Sequence, residues 1–270
     1  MNMKDDYLAL NTIHEGDCLD LMQRIPDKSV DMILCDLPYG TTDCKWDSII
    51  PFDPLWEQYN RIIKDNGAIV LFGSEPFSTA IRQSNLARYK YDWVWIKTKG
   101  LGFQHARNML MKRHELISVF SKAPVGHVSL LGDRRMKYNP QGVIETGEER
   151  VVTARKHSGT LGERPNQVGR TYKGATNFPT SVLQFDSVSK PEHPTQKPVE
   201  LCEYLIRTYT EEGETVLDNC LGSGTTAIAA INTGRNFIGI EKEAAYIEIA
   251  KQRVAAAYET KTRRKTEETQ

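Results

Sequence analysis

Val216-Leu217-Asp218-Asn219-Cys220-Leu221-Gly222-Ser223-Gly224-Thr225-Thr226 reads as the end of a buried strand, a tight loop of small residues and the first turn of a helix. Glycines at 222 and 224 let the backbone approach a ligand closely. The first N–H groups of the following helix lack intrahelical partners and carry the positive end of its dipole. Such a loop suits a nucleotide-like cofactor. Around it the periodicity predicts a helix over Pro198–Tyr209, strand over Thr215–Asn219, helix over Thr225–Thr233, strand over Phe237–Ile240 closed by Glu241, and helix over Glu243–Ala257. That alternation predicts a parallel sheet with helices on both faces.

Far upstream, the apolar run Val30–Cys35 is followed at once by Asp36-Leu37-Pro38-Tyr39-Gly40. Pro38 fixes its own φ and holds Leu37 extended, so a carboxylate, a fixed carbonyl and an aromatic ring are set at the mouth of the sheet. A flat base held there could receive a group from a cofactor held by the glycine loop. Strands are also expected over Thr12–Asp17, Ala68–Phe72, Tyr91–Ile96 and Glu115–Phe120, and helices over Cys18–Ile25, Pro54–Lys64 and Pro76–Leu86. Residues 123–190 are rich in Gly, Pro, Asn and Thr without a clean helical pattern, and read as a loop-rich insertion. The tail after Tyr258 has almost nothing apolar to bury and is expected to fray.

Composition narrows the function classes. The chain has 270 residues with 35 Lys or Arg against 35 Asp or Glu, so it is no generic polyanion binder. Between Ala123 and Lys190, however, ten Lys or Arg face six acids, a local excess of +4. A solvated basic loop would give the same count. Five cysteines without a CxxC pair read as reduced, and with neither a long apolar run nor a signal-peptide pattern at MNMKDDYLAL a cytoplasmic protein without membrane contact is expected. Six histidines show no metal-ligand spacing, and no metal is expected.

Asp36-Leu37-Pro38-Tyr39 resembles the Asp-Pro-Pro-Tyr motif of DNA methyltransferases that modify exocyclic amines. Asp218–Thr226 is similar to their S-adenosylmethionine motif, and His193-Pro194-Thr195-Gln196-Lys197-Pro198 to the motif opening the preceding helix. The order of motifs resembles the β-class, a circular permutation of the Rossmann-like methyltransferase fold, over about residues 11–256. The resemblance implies a catalytic half at 11–122, a target-recognition insert at 123–190, a cofactor half of the same domain at 191–257 and a polar tail at 258–270.

It further implies that Asp36 and the Leu37 carbonyl draw the hydrogens of the target amine out of the ring plane, while Pro38 fixes that carbonyl and Tyr39 stacks on the base. A carbonyl does not depend on its side chain, so leucine at 37 keeps the group the chemistry uses. S-adenosylmethionine would be held by Asp17, Cys18, Asp36, Thr195, Lys197, Asp218, Cys220, Gly222, Ser223, Gly224, Thr225, Thr226, Glu241 and Lys242. In this scheme Asp218 and its loop take the methionine moiety, Lys197 its carboxylate and Glu241 the ribose hydroxyls.

Trp95 and Lys97, with Arg134 and Arg135 in the basic segment, are the candidate DNA contacts, although Tyr91, Trp93 and Trp95 also read as a core strand. The implied partner is double-stranded DNA, with a homodimer and a cognate restriction endonuclease as further partners. By the tendency of the family it resembles, Asp at 36 favours adenine N6 over cytosine N4, while C5 methylation would need a Pro-Cys nucleophile that the chain lacks. Three alternatives stand beside this reading: a methyltransferase for RNA or a protein glutamine, an NAD(P) enzyme using Gly222, Gly224, Ala227 and Glu241, and a non-catalytic DNA-binding module.

Overall fold

A computed structural model describes residues 7–41, 47–151, 171–189 and 196–268. These form two compact units, 1–139 with 181–270, and Pro140–Thr180.

In the larger unit the chain runs β1 (Thr12–Glu15), α1 (Cys18–Met22), β2 (Val30–Cys35), α2 (Phe52–Ile62), β3 (Ile63–Gly73), α3 (Phe77–Ser84), β4 (Tyr89–Leu101), β5 (Lys112–Phe120) and α4 (Val128–Leu131). The smaller unit is an antiparallel pair, β6 (Ile144–Val151) and β7 (Thr171–Thr176). The larger unit resumes with β8 (Val182–Gln184), α5 (Val199–Tyr209), β9 (Thr215–Asp218), α6 (Thr225–Asn232), β10 (Asn236–Glu241) and α7 (Ala244–Glu268). Its eight strands are ordered β1-β10-β9-β2-β3-β5-β4-β8. The first five are mutually parallel, β5 is antiparallel to β3 and β4, and β8 is parallel to β4.

The central strands explain the two layers of helices. Every residue of β2 is buried, which suits a strand covered on both faces. Alternate side chains then enter opposite cores. Met32, Leu34, Val70, Phe72 and Val216 pack with Leu201, Leu205, Ile206 and Tyr209 of α5 and with α6. Ile33, Cys35, Ile69, Leu71 and Leu217 pack with Leu55, Tyr59 and Ile62 of α2. Each such aliphatic or aromatic side chain contributes roughly 1.5–3 kcal/mol on burial. Tyr209 is fully buried, and its hydroxyl accepts the Trp93 Nε1–H at 2.7 Å, which removes the cost of carrying it inside.

The two ends of the insertion expected at 123–190 belong to the larger unit. Ala123 and Met136 are buried in its core, and Lys137 pairs with Glu214. β8 pairs with β4 through Val94–Val182 to Ile96–Gln184. The separate unit is therefore narrower, Pro140–Thr180. Where no helix was expected, a short one forms at Val128–Leu131, followed by a 3-10 turn at Gly132–Arg134.

The tail also departs from expectation, because α7 does not end near Ala257 but continues to Glu268. Its Lys, Arg and Glu residues are good helix formers without Gly or Pro to stop them. Lys261 Nζ also donates to the Ile231 carbonyl at 2.7 Å, tying the last turns to α6.

Candidate active site at the carboxyl ends of β2 and β9

β2 and β9 lie side by side and parallel, with Met32 opposite Val216 and Ile33 opposite Leu217. The strand ends carrying Asp36 and Asp218, far apart in sequence, therefore open onto one edge, where ligands sit in open α/β sheets. A cavity of about 290 Å³ lies there, and Asp17, Asp36, Tyr39, Asp218, Ser223 and Glu241 are among its walls. Leu37, Pro38, Cys18, Lys197, Cys220, Gly222, Thr225, Thr226 and Lys242 line it too. Of the residues expected to hold a cofactor, Thr195 falls outside the described residues. Gly224 stands behind the lining as the N-terminal cap of α6.

The side of the cavity after β9 is built by backbone contacts. Gly222 and Gly224 adopt φ of 53° and 86°, a left-handed conformation that favours glycine. A Cβ on Gly224 would lie 3.1 Å from Ala250 Cβ, so α7 packs against this turn. Glu241 Oε2 accepts the Gly222 N–H at 2.7 Å, and Oε1 accepts the Lys242 and Glu243 N–H groups at 2.9 Å each. Its carboxylate is thereby fixed in the cavity wall. Asp17 Oδ1 accepts the Leu19 N–H at 2.8 Å and caps α1. Asp218 accepts the Cys220 N–H at 3.1 Å. Burial pushes its carboxyl up to about 6, against the pull of Thr226, the Cys220 N–H and Cys35.

The side of the cavity after β2 is a chain of charges. Asp36 Oδ1 accepts the Tyr39 hydroxyl at 2.5 Å and Oδ2 accepts Lys197 Nζ. Lys197 Nζ also lies 3.6 Å from Glu115 Oε2, and Glu115 Oε1 accepts Lys97 Nζ at 2.5 Å. The Asp36 side chain keeps 20% exposure against 7% for Lys197. The acid can therefore reach a ligand while the lysine stays behind it. Burial pushes Asp36 above the usual carboxylate range and Glu115 adds to this, with Lys197 opposing. For Lys197, burial pulls down but Asp36 and Glu115 outweigh it, so the ammonium is held charged. Glu115 is lowered, because Lys197 and Lys97 overcome its burial.

The turn itself is braced. Phe77 stacks on the Tyr39 ring at 4.9 Å and 25°. Asp47 accepts the Gly40 and Thr41 N–H groups at 2.8 and 2.9 Å. No motif in the sequence marks Asp47, whose contribution comes from chain reversal. Arg253 of α7 likewise escaped notice, though its Nη1 holds the Ser223 carbonyl and hydroxyl at 2.6 and 2.8 Å.

Lys197, expected on a cofactor carboxylate, lines the cavity with its ammonium on Asp36 and 3.6 Å from Glu115. Two expectations are corrected. Trp95 is 2% exposed with its Nε1–H on the Phe185 carbonyl, and Lys97 is paired with Glu115, so neither is presented to DNA. The alternation of β4 turns Trp93 and Trp95 inward together. Arg134 and Arg135 follow β5 at the edge where β3 and β9 begin, as the Lys137 N–H bond to the Asn66 carbonyl and the Lys137–Glu214 pair show. That edge is opposite Asp36.

A family model described as DNA methylase, of the N6/N4 type, matches residues 30–252. The chain belongs to the N6/N4 DNA methylase family. The methylase is 31% identical over 258 residues to the type II methyltransferase M1.MboII of Moraxella bovis, covering 89% of this chain and 95% of that one. M.HpaI of Haemophilus parainfluenzae is 26% identical, over 90% and 74% of the two chains. Among solved structures, the M1.HpyAVI–SAM complex has a TM-score of 0.57 at 24% identity, over 90% of the methylase and 98% of that chain. The PvuII cytosine-N4-specific DNA methyltransferase has a TM-score of 0.61 at 14% identity, over 94% and 93%. The methylase thus has the expected α/β methyltransferase fold with a mostly parallel sheet. No helix among its described residues is long and apolar enough to cross a membrane.

Proposed function

We propose that the methylase transfers a methyl group from S-adenosylmethionine to the N6 amine of adenine in a short sequence context of duplex DNA, as the modification half of a restriction-modification pair. The observation that carries this is the single cavity walled on one side by Asp36 to Tyr39 and on the other by Asp218, the glycine loop and Glu241. Thr225 Oγ1 is buried there without a hydrogen-bond partner among the described residues, and a polar ligand would complete it. Asp218 and the loop would hold the methionine moiety and Glu241 the ribose. When bound, the cofactor supplies an electrophilic methyl on a sulfonium.

The chain's own residues prepare the acceptor. An exocyclic amine is a poor nucleophile because its lone pair is delocalised into the ring. Asp36 accepts one N–H and the Leu37 carbonyl, to which no described residue donates, accepts the other. Pulled from the ring plane, the lone pair faces the methyl. Lys197 opposes the burial that raises Asp36 and keeps its carboxylate aimed, and Tyr39 offers a ring to the base, a contact worth roughly 1–3 kcal/mol. Because the amine is stacked within a duplex, the base must be flipped out, at a few kcal/mol. The unit Pro140–Thr180 would read the sequence, and a homodimer fits the resemblance.

DNA from cells expressing the chain, digested to nucleosides and analysed by mass spectrometry, tests this. N6-methyladenine is expected with the wild type and none with Asp36→Ala, which should still bind S-adenosylhomocysteine. N4-methylcytosine would overturn the base assignment, and label in RNA or protein alone would overturn the substrate.

A further inference from the structure

Residues 97–114, the end of β4 and the turn into β5, hold five Lys or Arg and two His with no acid. By contrast, Pro140–Thr180 holds six Lys or Arg against four acids. The hairpin grows out of the catalytic network: Trp95 pairs with Glu115 and Leu101 with Lys112, and Glu115 joins Lys97 to the Lys197–Asp36 pair. Because Leu116 lies opposite Gly73, the last residue of β3, the tip projects past the strand ends where Asp36 sits.

The tip is apolar as well as basic. Phe103, in a 3-10 turn, is 80% exposed and Leu110 82%. Met109 and Leu101 are exposed beside them. Lys99 and Arg107 are exposed, Lys112 is half-buried, and none of the three forms an ion pair among the described residues. Large apolar side chains in water within a rim of charge mark a binding surface. A ligand that matches both features has anionic groups flanking apolar faces, which is the chemistry of duplex DNA, whose phosphates take cations and whose opened base steps take apolar wedges. A second copy fits poorly, because an isologous contact would bring the same cations together.

We infer that the β4–β5 hairpin is a DNA wedge: Lys99, Arg107 and Lys112 grip phosphates beside the target, and Phe103 and Leu110 enter the space the base leaves as it swings to Asp36. This rests on the base-flipping reading above.

Two variants of the full chain test it, Lys99→Ala/Arg107→Ala/Lys112→Ala and Phe103→Ala/Leu110→Ala. The probes are a 40-base-pair duplex titrated over a salt series and unmethylated plasmid DNA with labelled S-adenosylmethionine. The triple variant is expected to flatten the slope of log affinity against log salt by about 2–3. The double variant should keep the slope but lose about tenfold in kcat/KM on plasmid. Both should bind S-adenosylhomocysteine as the wild type does, which shows that they are folded. An unchanged slope and rate in both, with an active wild type, overturns the wedge alone. So does sedimentation in which the variants convert a dimer to a monomer at unchanged DNA affinity. A wild type inactive on DNA overturns the function itself.

Discussion

Asp218 ends β9 at 5% exposure, and the carboxyl that burial raises to about 6 has a measurable consequence for stability. A carboxylate raised in the folded state stabilises most when protonated. Its contribution is complete below the unfolded value of 3.8 and is lost as pH rises through about 6. Asp218→Asn does not ionise, so its stability relative to wild type should rise between pH 4 and pH 8, by at most about 3 kcal/mol. Urea denaturation of the ligand-free protein at the two pH values checks this, and a pH-independent difference contradicts it. Wild-type affinity for S-adenosylhomocysteine should weaken below pH 6, where the acid loses its charge. Lys197 shows the limit of reading residues singly, since a lysine beside a helix start gives no sign that its ammonium meets Asp36 and Glu115.

Among the elements, the loop between β9 and α6 depends on backbone shape. Gly224→Ala should cost roughly 1–2 kcal/mol for a left-handed alanine, plus the contact with Ala250 at 3.1 Å. Gly213, at φ 80° with nothing within 4 Å of its Cβ position, isolates the first part. Gly213→Ala should therefore lower the melting temperature less than Gly224→Ala, and only the latter should weaken cofactor binding. Equal shifts would mean that α7 does not press on the loop. Element boundaries were legible to a residue where periodicity was strong, as in α5, expected over Pro198–Tyr209 and found over Val199–Tyr209 with Pro198 as its N-terminal cap. β3 and β4 ran longer than their apolar cores, since Ile63–Asn66 and Lys97–Leu101 extend the strands with partly polar residues. The basic hairpin was legible too, but a tally over the long 123–190 segment favoured length over density.

For the whole molecule, the contacts separate Pro140–Thr180 from the unit that holds the cavity. Replacing it with a glycine-serine linker should preserve the rise in melting temperature with S-adenosylhomocysteine, about 2.7 kcal/mol of stabilisation at a hundredfold excess over Kd. Site-specific methylation should disappear. Loss of the thermal shift would show that the unit supports the cavity.

The sequence by itself determined the parallel core, because runs such as Met32–Cys35 and Val216–Leu217 are apolar on both faces and only a sheet covered twice can bury them. It also set the shape of the turn after β2 and of the glycine loop after β9, whose Pro38, Gly222 and Gly224 impose local backbone geometry that needs no distant partner. Only the tertiary structure decided that β9 inserts beside β2, that Lys197 and Glu115 converge behind Asp36, and that Arg134 and Arg135 fall on the edge away from the cavity. These depend on strand order and on which end of the sheet each connection leaves from. Neither is written in the local periodicity, because pairings across such sequence separations follow from packing the whole chain.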